Sequence, residues 1–306
     1  MRSHVSIAGP AGFEPATTDS GGSQFFRIAN LDGLLSRFKE FGLVDRNLSE
    51  NTMNSNCGYL FQIKRFLKAV GKEPSQISTD EVRTYLLRFQ DKSPNTKANC
   101  LKALRLFFRF LGRPQVVESF KFPRRTYTPK TVPNKNDLKR FFDALDHLKY
   151  QTAFLLYASS GLRKTELLKL TIADVDIETR LIIPRNTHET STTKNTWVTC
   201  FNAEAQTYLK RFLANRRDND SRLIPVSQIA LERAFRKASQ RSGVKITVKV
   251  LREWFCCQLG ELGVPDRYVD TFCGRVPKSV LARHYTDYSP EKLKRIYDKA
   301  NITVLT

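Results

Sequence analysis

The chain of 306 residues is poor in everything that metal, redox or nucleotide chemistry uses. Its four histidines are scattered at 4, 147, 188 and 284, without metal-ligand spacing. Its six cysteines (57, 100, 200, 256, 257 and 273) include no C-x-x-C pair, and no secretory signal precedes them. They are expected to be reduced, mostly packed thiols of a cytoplasmic protein rather than a zinc site or a disulfide frame. No G-x-x-x-x-G-K-[ST] run is present to cradle a triphosphate, which argues against an ATP-driven enzyme. No apolar run nears the roughly 18 residues of a membrane span. Neither a metal nor an organic cofactor is expected. A Mg-dependent nuclease built on scattered carboxylates stays open on spacing alone.

Acidic residues are also scarce relative to basic ones. Lys and Arg number 51 against 30 Asp and Glu, a net charge of +21. The first expectation is a polyanionic partner, and nucleic acid is the commonest. The length suits two domains.

Residues 1–30 are expected to be a flexible tail, since 1–24 are rich in Gly, Ser, Thr and Pro and lack periodicity. Helical spacing begins near Leu31. Tyr59, Ile63, Phe66, Leu67 and Val70 form one stripe, stopped by Gly71. Val82, Tyr85, Leu86 and Phe89 form a second after Thr79-Asp80-Glu81. Leu101, Leu104, Phe107 and Phe108 form a third after Ser93-Pro94, ending near Gly112. An all-helical domain over 31–118 follows.

Residues 119–136 then hold three prolines, five basic residues and no acid. This predicts an extended linker over 119–135, with Lys121, Arg124, Arg125 and Lys130 facing DNA or merely solvent. The second domain, 136–306, mixes elements. Asn136 or Asp137 can cap a first helix, and another runs through Ala153–Tyr157 into Ser159-Ser160-Gly161. Val175–Ile183 and Trp197–Phe201 are expected to be strands joined by a polar hairpin loop over 186–196. Helices resume at Ala203, Ile229 and Val248, so this domain reads as α+β.

Gly161-Leu162-Arg163-Lys164-Thr165-Glu166-Leu167-Leu168-Lys169-Leu170 resembles the first arginine box of tyrosine recombinases, the phage-type integrases and Xer resolvases. Four further positions follow in the family's order. Lys194 lies in the hairpin loop, Lys249-Val250-Leu251-Arg252 stands where most members carry H-x-L-R, and Cys273-Gly274-Arg275 stands where many carry L-G-H. Tyr285, in Arg283-His284-Tyr285-Thr286, occupies the nucleophile position. Lys249 and Arg275 in place of histidines, with one extra residue between Arg275 and Tyr285, resemble the SSV-type integrases of archaeal viruses and plasmids. The resemblance implies a SAM-like core-binding domain followed by a catalytic domain, together clamping duplex DNA.

It also implies the roles. Arg163 and Arg252 would hold the phosphate oxygens, Arg275 and Lys249 would lower the pKa of Tyr285, and Lys194 would protonate the leaving oxygen. Glu166 would orient an arginine without a chemical step. The product would be a 3′-phosphotyrosine, and the enzyme a site-specific recombinase working as a tetramer on double-stranded DNA attachment sites and as a monomer when free, in the nucleoid. A type IB topoisomerase and a Xer-type resolvase are the nearest alternatives, and a non-catalytic DNA-binding protein is a further one. Arg163 could equally be a helix-surface partner of Glu166, and Tyr288 and Tyr297 compete with Tyr285. His284 is expected to be structural. Ile302–Leu305 are apolar enough to dock on a neighbouring protomer or to fray.

The tail adds one clue. Gly12-Phe13-Glu14-Pro15 can be written GGA-TTC-GAA-CCC, the antisense of a tRNA T-arm. An attachment site copied from a tRNA gene would then lie inside the gene itself, and integration would split it.

Overall fold

The computed structural model describes residues 23–124, 131–184, 198–275 and 279–306, with side chains from Leu31 onward. Two compact units divide between Thr128 and Pro129. The first is all-α: α1 (Ser23–Leu43), α2 (Glu50–Asn54), α3 (Tyr59–Val70), α4 (Thr79–Leu87), α5 (Pro94–Phe110) and α6 (Gln115–Glu118). The apolar stripes supply its core. Ile63, Phe66, Val82, Leu104, Phe107 and Phe108 are almost fully buried, and Phe38 of α1 meets Phe107 edge-on at 5.3 Å. Ser78 and Glu81 start α4 reciprocally, the Ser78 N–H donating to the Glu81 carboxylate at 2.8 Å.

Residues 23–30, expected as part of the flexible tail, have a helical backbone. No Pro or Gly stands between 23 and 32, so a helix anchored by Leu35 and Phe38 extends backward at little cost. Residues 1–22, with the Gly12–Pro15 clue, lie outside the described residues.

The second unit contains α7 (Lys135–Asp143), α8 (Leu148–Ser160), α9 (Lys164–Lys169), β1 (Val175–Asp176), β2 (Leu181–Ile182), β3 (Thr199–Cys200), α10 (Ala203–Ala214), α11 (Gln228–Ser242), α12 (Val248–Glu261), α13 (Asp266–Phe272), α14 (Val280–His284) and α15 (Pro290–Ala300). Helix α8 is its axis. Thr152–Ser160 are all buried, and α10 and α12 pack against it, as a helix apolar on every side requires.

Three expectations need correction here. The cap of α7 is Asn134, whose Oδ1 accepts from the Asp137 N–H at 2.8 Å, while Asp137 is the third helical residue and reaches back. The linker therefore ends at Asn134. Val175–Ile183 is two strands, not one. The Asp176 carboxylate accepts from the N–H groups of Glu178 and Thr179 at 3.0 and 3.1 Å, folding the chain into a turn that closes through Arg180 at φ 58°. The resulting antiparallel sheet runs β1-β2-β3, with Leu181 opposite Cys200. Finally, Ile302 and Val304 are buried in the unit's own core, and the Val304 and Leu305 N–H groups donate to Glu204 at 2.6 and 2.9 Å.

Candidate active site

Gly161 begins the site. It ends α8 in the left-handed region, φ 66°, and a Cβ there would stand 2.4 Å from the Phe255 ring and 3.2 Å from the Cys273 sulfur. Only glycine satisfies both conditions. The turn it makes buries Leu162 and sets Arg163 at the start of α9. There Glu166, three residues on, accepts twice from Arg163: from its backbone N–H at 2.6 Å and from its guanidinium at 2.5 Å. A second guanidinium nitrogen of Arg163 donates to the Gly274 carbonyl at 3.2 Å. One guanidinium thus makes both the ion pair with Glu166 and the contact with the Gly274 carbonyl.

Arg252, on the second turn of α12, is more buried than Arg163 or Arg275, its side chain 13% exposed. Its guanidinium donates to the carbonyls of Gly161 and Cys273, both at 2.6 Å, and lies 3.9 Å from the second Glu166 oxygen. Burial lowers its pKa from the usual value, yet a guanidinium stays charged at neutral pH.

Beyond α13 the chain turns at Gly274 (φ 57°) and presents Arg275. Asp270 fixes that residue twice, through its carbonyl to the Arg275 N–H at 2.9 Å and through its carboxylate to the guanidinium at 2.8 Å. The other guanidinium nitrogen donates to the Cys256 sulfur at 3.5 Å. Arg163, Arg252 and Arg275 therefore converge on one backbone turn, residues 273–275, although 112 positions separate the first from the last.

The remaining predicted residues fall less tightly. Lys249 is one turn before Arg252, but its side chain is 80% exposed, with its ammonium 3.9 Å from Glu253, rather than inside the arginine network. It lines a groove of about 850 Å³ with an apolar floor of Leu231, Phe235 and Ile246, onto which Arg163 and Arg252 also open. Lys194 lies outside the described residues, as do Arg125 and Lys130. Lys121 and Arg124 are exposed. The chain before them is held to α5 by Arg105, which donates to the Phe120 carbonyl at 2.6 Å and covers the Phe122 ring at 4.5 Å.

Three tyrosines competed for one role. Tyr297 is buried, donates to the Ser159 carbonyl at 2.6 Å, and has its pKa pushed well up by that burial. Tyr288 donates to the Ala282 carbonyl at 2.5 Å and packs edge-on against Tyr268. Tyr285 caps the end of α14 and is 77% exposed. His284 is exposed beside it.

Sequence reasoning missed Asp270 and the thiol pair Cys256 and Cys273, whose sulfurs are 3.4 Å apart. The signals existed: Cys256 is four residues after Arg252 on one helix, and Asp270 is five before Arg275. Among the described residues, no group of three or more His, Cys, Asp or Glu side chains is placed to hold a metal. No described helix is long and apolar enough to cross a membrane.

Residues 132–292 match the phage integrase family, and residues 34–115 match the phage integrase N-terminal SAM-like domain. The tyrosine recombinase XerA of Thermococcus onnurineus is 25% identical over 272 residues, covering 84% of this chain and 92% of that protein. XerA of Pyrococcus furiosus is 24% identical over 269 residues, covering 83% and 89%. In fold the chain is similar to the lambda integrase dimer bound to a COC′ core site (TM-score 0.62, 17% identity, 88% of this chain and 81% of that one). It is also similar to the Tn1549 transposon integrase in complex with transposon right end DNA (TM-score 0.60, 17% identity, 85% and 97%). The N-terminal SAM-like match falls on the all-α first unit and the integrase match on the second, and the chain belongs to the phage integrase family of tyrosine recombinases, enzymes of site-specific recombination.

Proposed function

We propose that this chain cuts and rejoins duplex DNA through Tyr285, with Arg163, Arg252 and Arg275 binding the scissile phosphate. The observation that carries the reading is the joining of Arg163 and Arg252 by Glu166 and the 273–275 turn. Attack on a phosphodiester adds negative charge to the non-bridging oxygens, and guanidinium forks match those oxygens while keeping their charge. Their orientation is set in advance by carbonyls and a carboxylate, so little reorganisation is left for the reaction.

Tyr285 is the tyrosine whose exposed side chain supports a nucleophilic role, because Tyr297 and Tyr288 already spend their hydroxyls on carbonyls. Its oxygen forms the bond to phosphorus as the bond to the 5′ oxygen breaks. Lys194 gives that oxygen its proton, and Arg275 with Lys249 adds positive charge to the phosphate-binding surface. A 3′-phosphotyrosine stores the bond energy, so another 5′ hydroxyl can reverse the step without ATP or metal. Four protomers assemble on paired attachment sites, the free chain is monomeric, and Lys121, Arg124, Arg125 and Lys130 add phosphate contacts along the linker. Gly12-Phe13-Glu14-Pro15 can be encoded as the antisense of a tRNA T-arm, which fits integration of a mobile element at a tRNA gene, in an archaeal virus or plasmid. The XerA relatives, which match nearly end to end, favour a second reading in which the enzyme resolves multimers of its own replicon.

The test is a nicked suicide duplex carrying a tRNA-gene end, incubated in EDTA and run on a denaturing gel. Wild type should trap as a covalent complex, and Tyr285→Phe should not. Trapping by the mutant would pass the role to Tyr288, and no trapping on any site would leave a binding protein. Two separate duplexes joined in trans support integration, whereas resolution of a head-to-tail dimer supports the XerA-like reading.

A further inference from the structure

The thiol pair beside the arginines has no part in strand transfer, yet it touches the parts that do. Cys256 is half-buried and Cys273 is buried, with their sulfurs 3.4 Å apart. The Cys256 sulfur also accepts from the Arg275 guanidinium at 3.5 Å, and Arg252 lies one helical turn away. Asp270 is occupied by Arg275, and Glu166 by Arg163 and Arg252.

We infer that Cys256 and Cys273 are a site of oxidative modification, forming a disulfide with a hydroperoxide as oxidant and thereby disarming the arginine cluster. Cys256 is the reactive partner. The hydrogen bond with Cys273, in which either sulfur can donate, and the two guanidiniums together favour its thiolate, so its pKa is held below that of a free cysteine. Cys273, paired with Cys256 and buried, has its pKa pushed up. The Cys256 thiolate attacks the peroxide, giving a sulfenic acid and an alkoxide or hydroxide that takes a proton from water. Cys273 then attacks that sulfur, and its thiol proton leaves with the expelled hydroxide as water. In sum, two thiols and one hydroperoxide give one disulfide, one alcohol (water, from hydrogen peroxide) and one water.

The consequences follow from the hydrogen bonds. A disulfide needs its sulfurs at about 2.05 Å, roughly 1.3 Å closer than here. Cys273 offers its carbonyl to Arg252, and its neighbour Gly274 offers one to Arg163, so the turn that moves carries both. Arg275 loses an anionic acceptor at the same moment. Misplacement by about 1 Å at a reacting centre can cost about a hundredfold in rate.

This inference rests on the strand-transfer reading only for its effect on rate. The experiment treats the purified full chain with hydrogen peroxide, alkylates the free thiols in denaturant and maps the peptides. We expect a linked 256–273 peptide and four alkylated cysteines, six less the two joined. Trapping on the nicked duplex should fall about a hundredfold and return with dithiothreitol. Cys256→Ser should lose the link and resist peroxide, while Cys257→Ser should still form it. The inference is overturned if peroxide leaves residues 256 and 273 unlinked, or if the linked enzyme traps as fast as the dithiol enzyme. If the reduced enzyme never traps, the strand-transfer reading is what has failed, and the peptide map still decides the disulfide.

Discussion

Glu166 accepts from Arg163 twice, at 2.6 Å from the backbone and 2.5 Å from the guanidinium, so one carboxylate both starts a helix and aims a cation. The pair is mostly shielded, with side chains 27% and 18% exposed, which keeps water from competing for it. Arg252 adds its charge at 3.9 Å on the other carboxylate oxygen.

Replacing Glu166 by Gln keeps the shape and removes the charge. A hydrogen bond to a charged partner is worth about 1.5–3 kcal/mol, so the rate of covalent trapping should fall about ten- to a hundredfold. Thermal melting should move by only a few degrees. An unchanged rate would reduce the contact to a helix-end ion pair without a role in positioning.

Gly161 and Gly71 share a left-handed backbone, with φ 66° and 67°, but differ in their surroundings. Nothing stands within 4 Å of a Cβ at Gly71, whereas Phe255 blocks one at Gly161. Gly71→Ala should therefore cost only the conformational penalty, about 1–2 kcal/mol. Gly161→Ala adds a clash with a packed ring and should cost clearly more, about 3 kcal/mol or beyond, in urea unfolding. It should also abolish trapping, because the Gly161 carbonyl holds Arg252. Equal costs at the two positions would mean that Phe255 yields.

Tyr297→Phe removes a hydroxyl and leaves the Ser159 carbonyl at the end of α8 without that donor. The expected loss is about 1–3 kcal/mol, seen as a lower urea midpoint. Trapping by the remaining folded enzyme should persist. A variant as stable as wild type but inactive would make Tyr297, not Tyr285, the tyrosine that matters.

The helical first unit was legible because α3, α4 and α5 each carry a periodic apolar stripe and a start or stop residue. The order of the arginines was legible because an arginine box is a local pattern. Their mutual geometry was not, since Arg163, Arg252 and Arg275 meet only where α9, α12 and the 273–275 turn are brought together by burial of α8. The break at Asp176–Arg180 was hidden by flanking apolar residues, which read as one strand until the Asp176 side chain is seen capping the turn. Cys256 gave no signal beyond its register with Arg252, because a half-buried cysteine commonly packs as a small apolar side chain.

Two other cysteines predict how stability responds to alkali. Burial pushes the thiols of Cys100, in the first unit, and Cys200, in the second, up to about 12. In the unfolded chain both titrate near 9, so below that pH neither state gains from ionisation and the full stability is present. As pH rises above 9, only the unfolded state releases these protons, and stability drains away until the folded thiols titrate near 12. Each contributes a slope of about 1.4 kcal/mol per pH unit within that window. Tyr85, also pushed up to about 12 by burial, adds a loss of the same sign above pH 10. Urea midpoints measured at pH 9 and 10.5 should fall from the first to the second. Cys200→Ala should start lower, since it leaves a small cavity, but decline less steeply, and parallel curves for mutant and wild type would show that the thiol is not what alkali attacks.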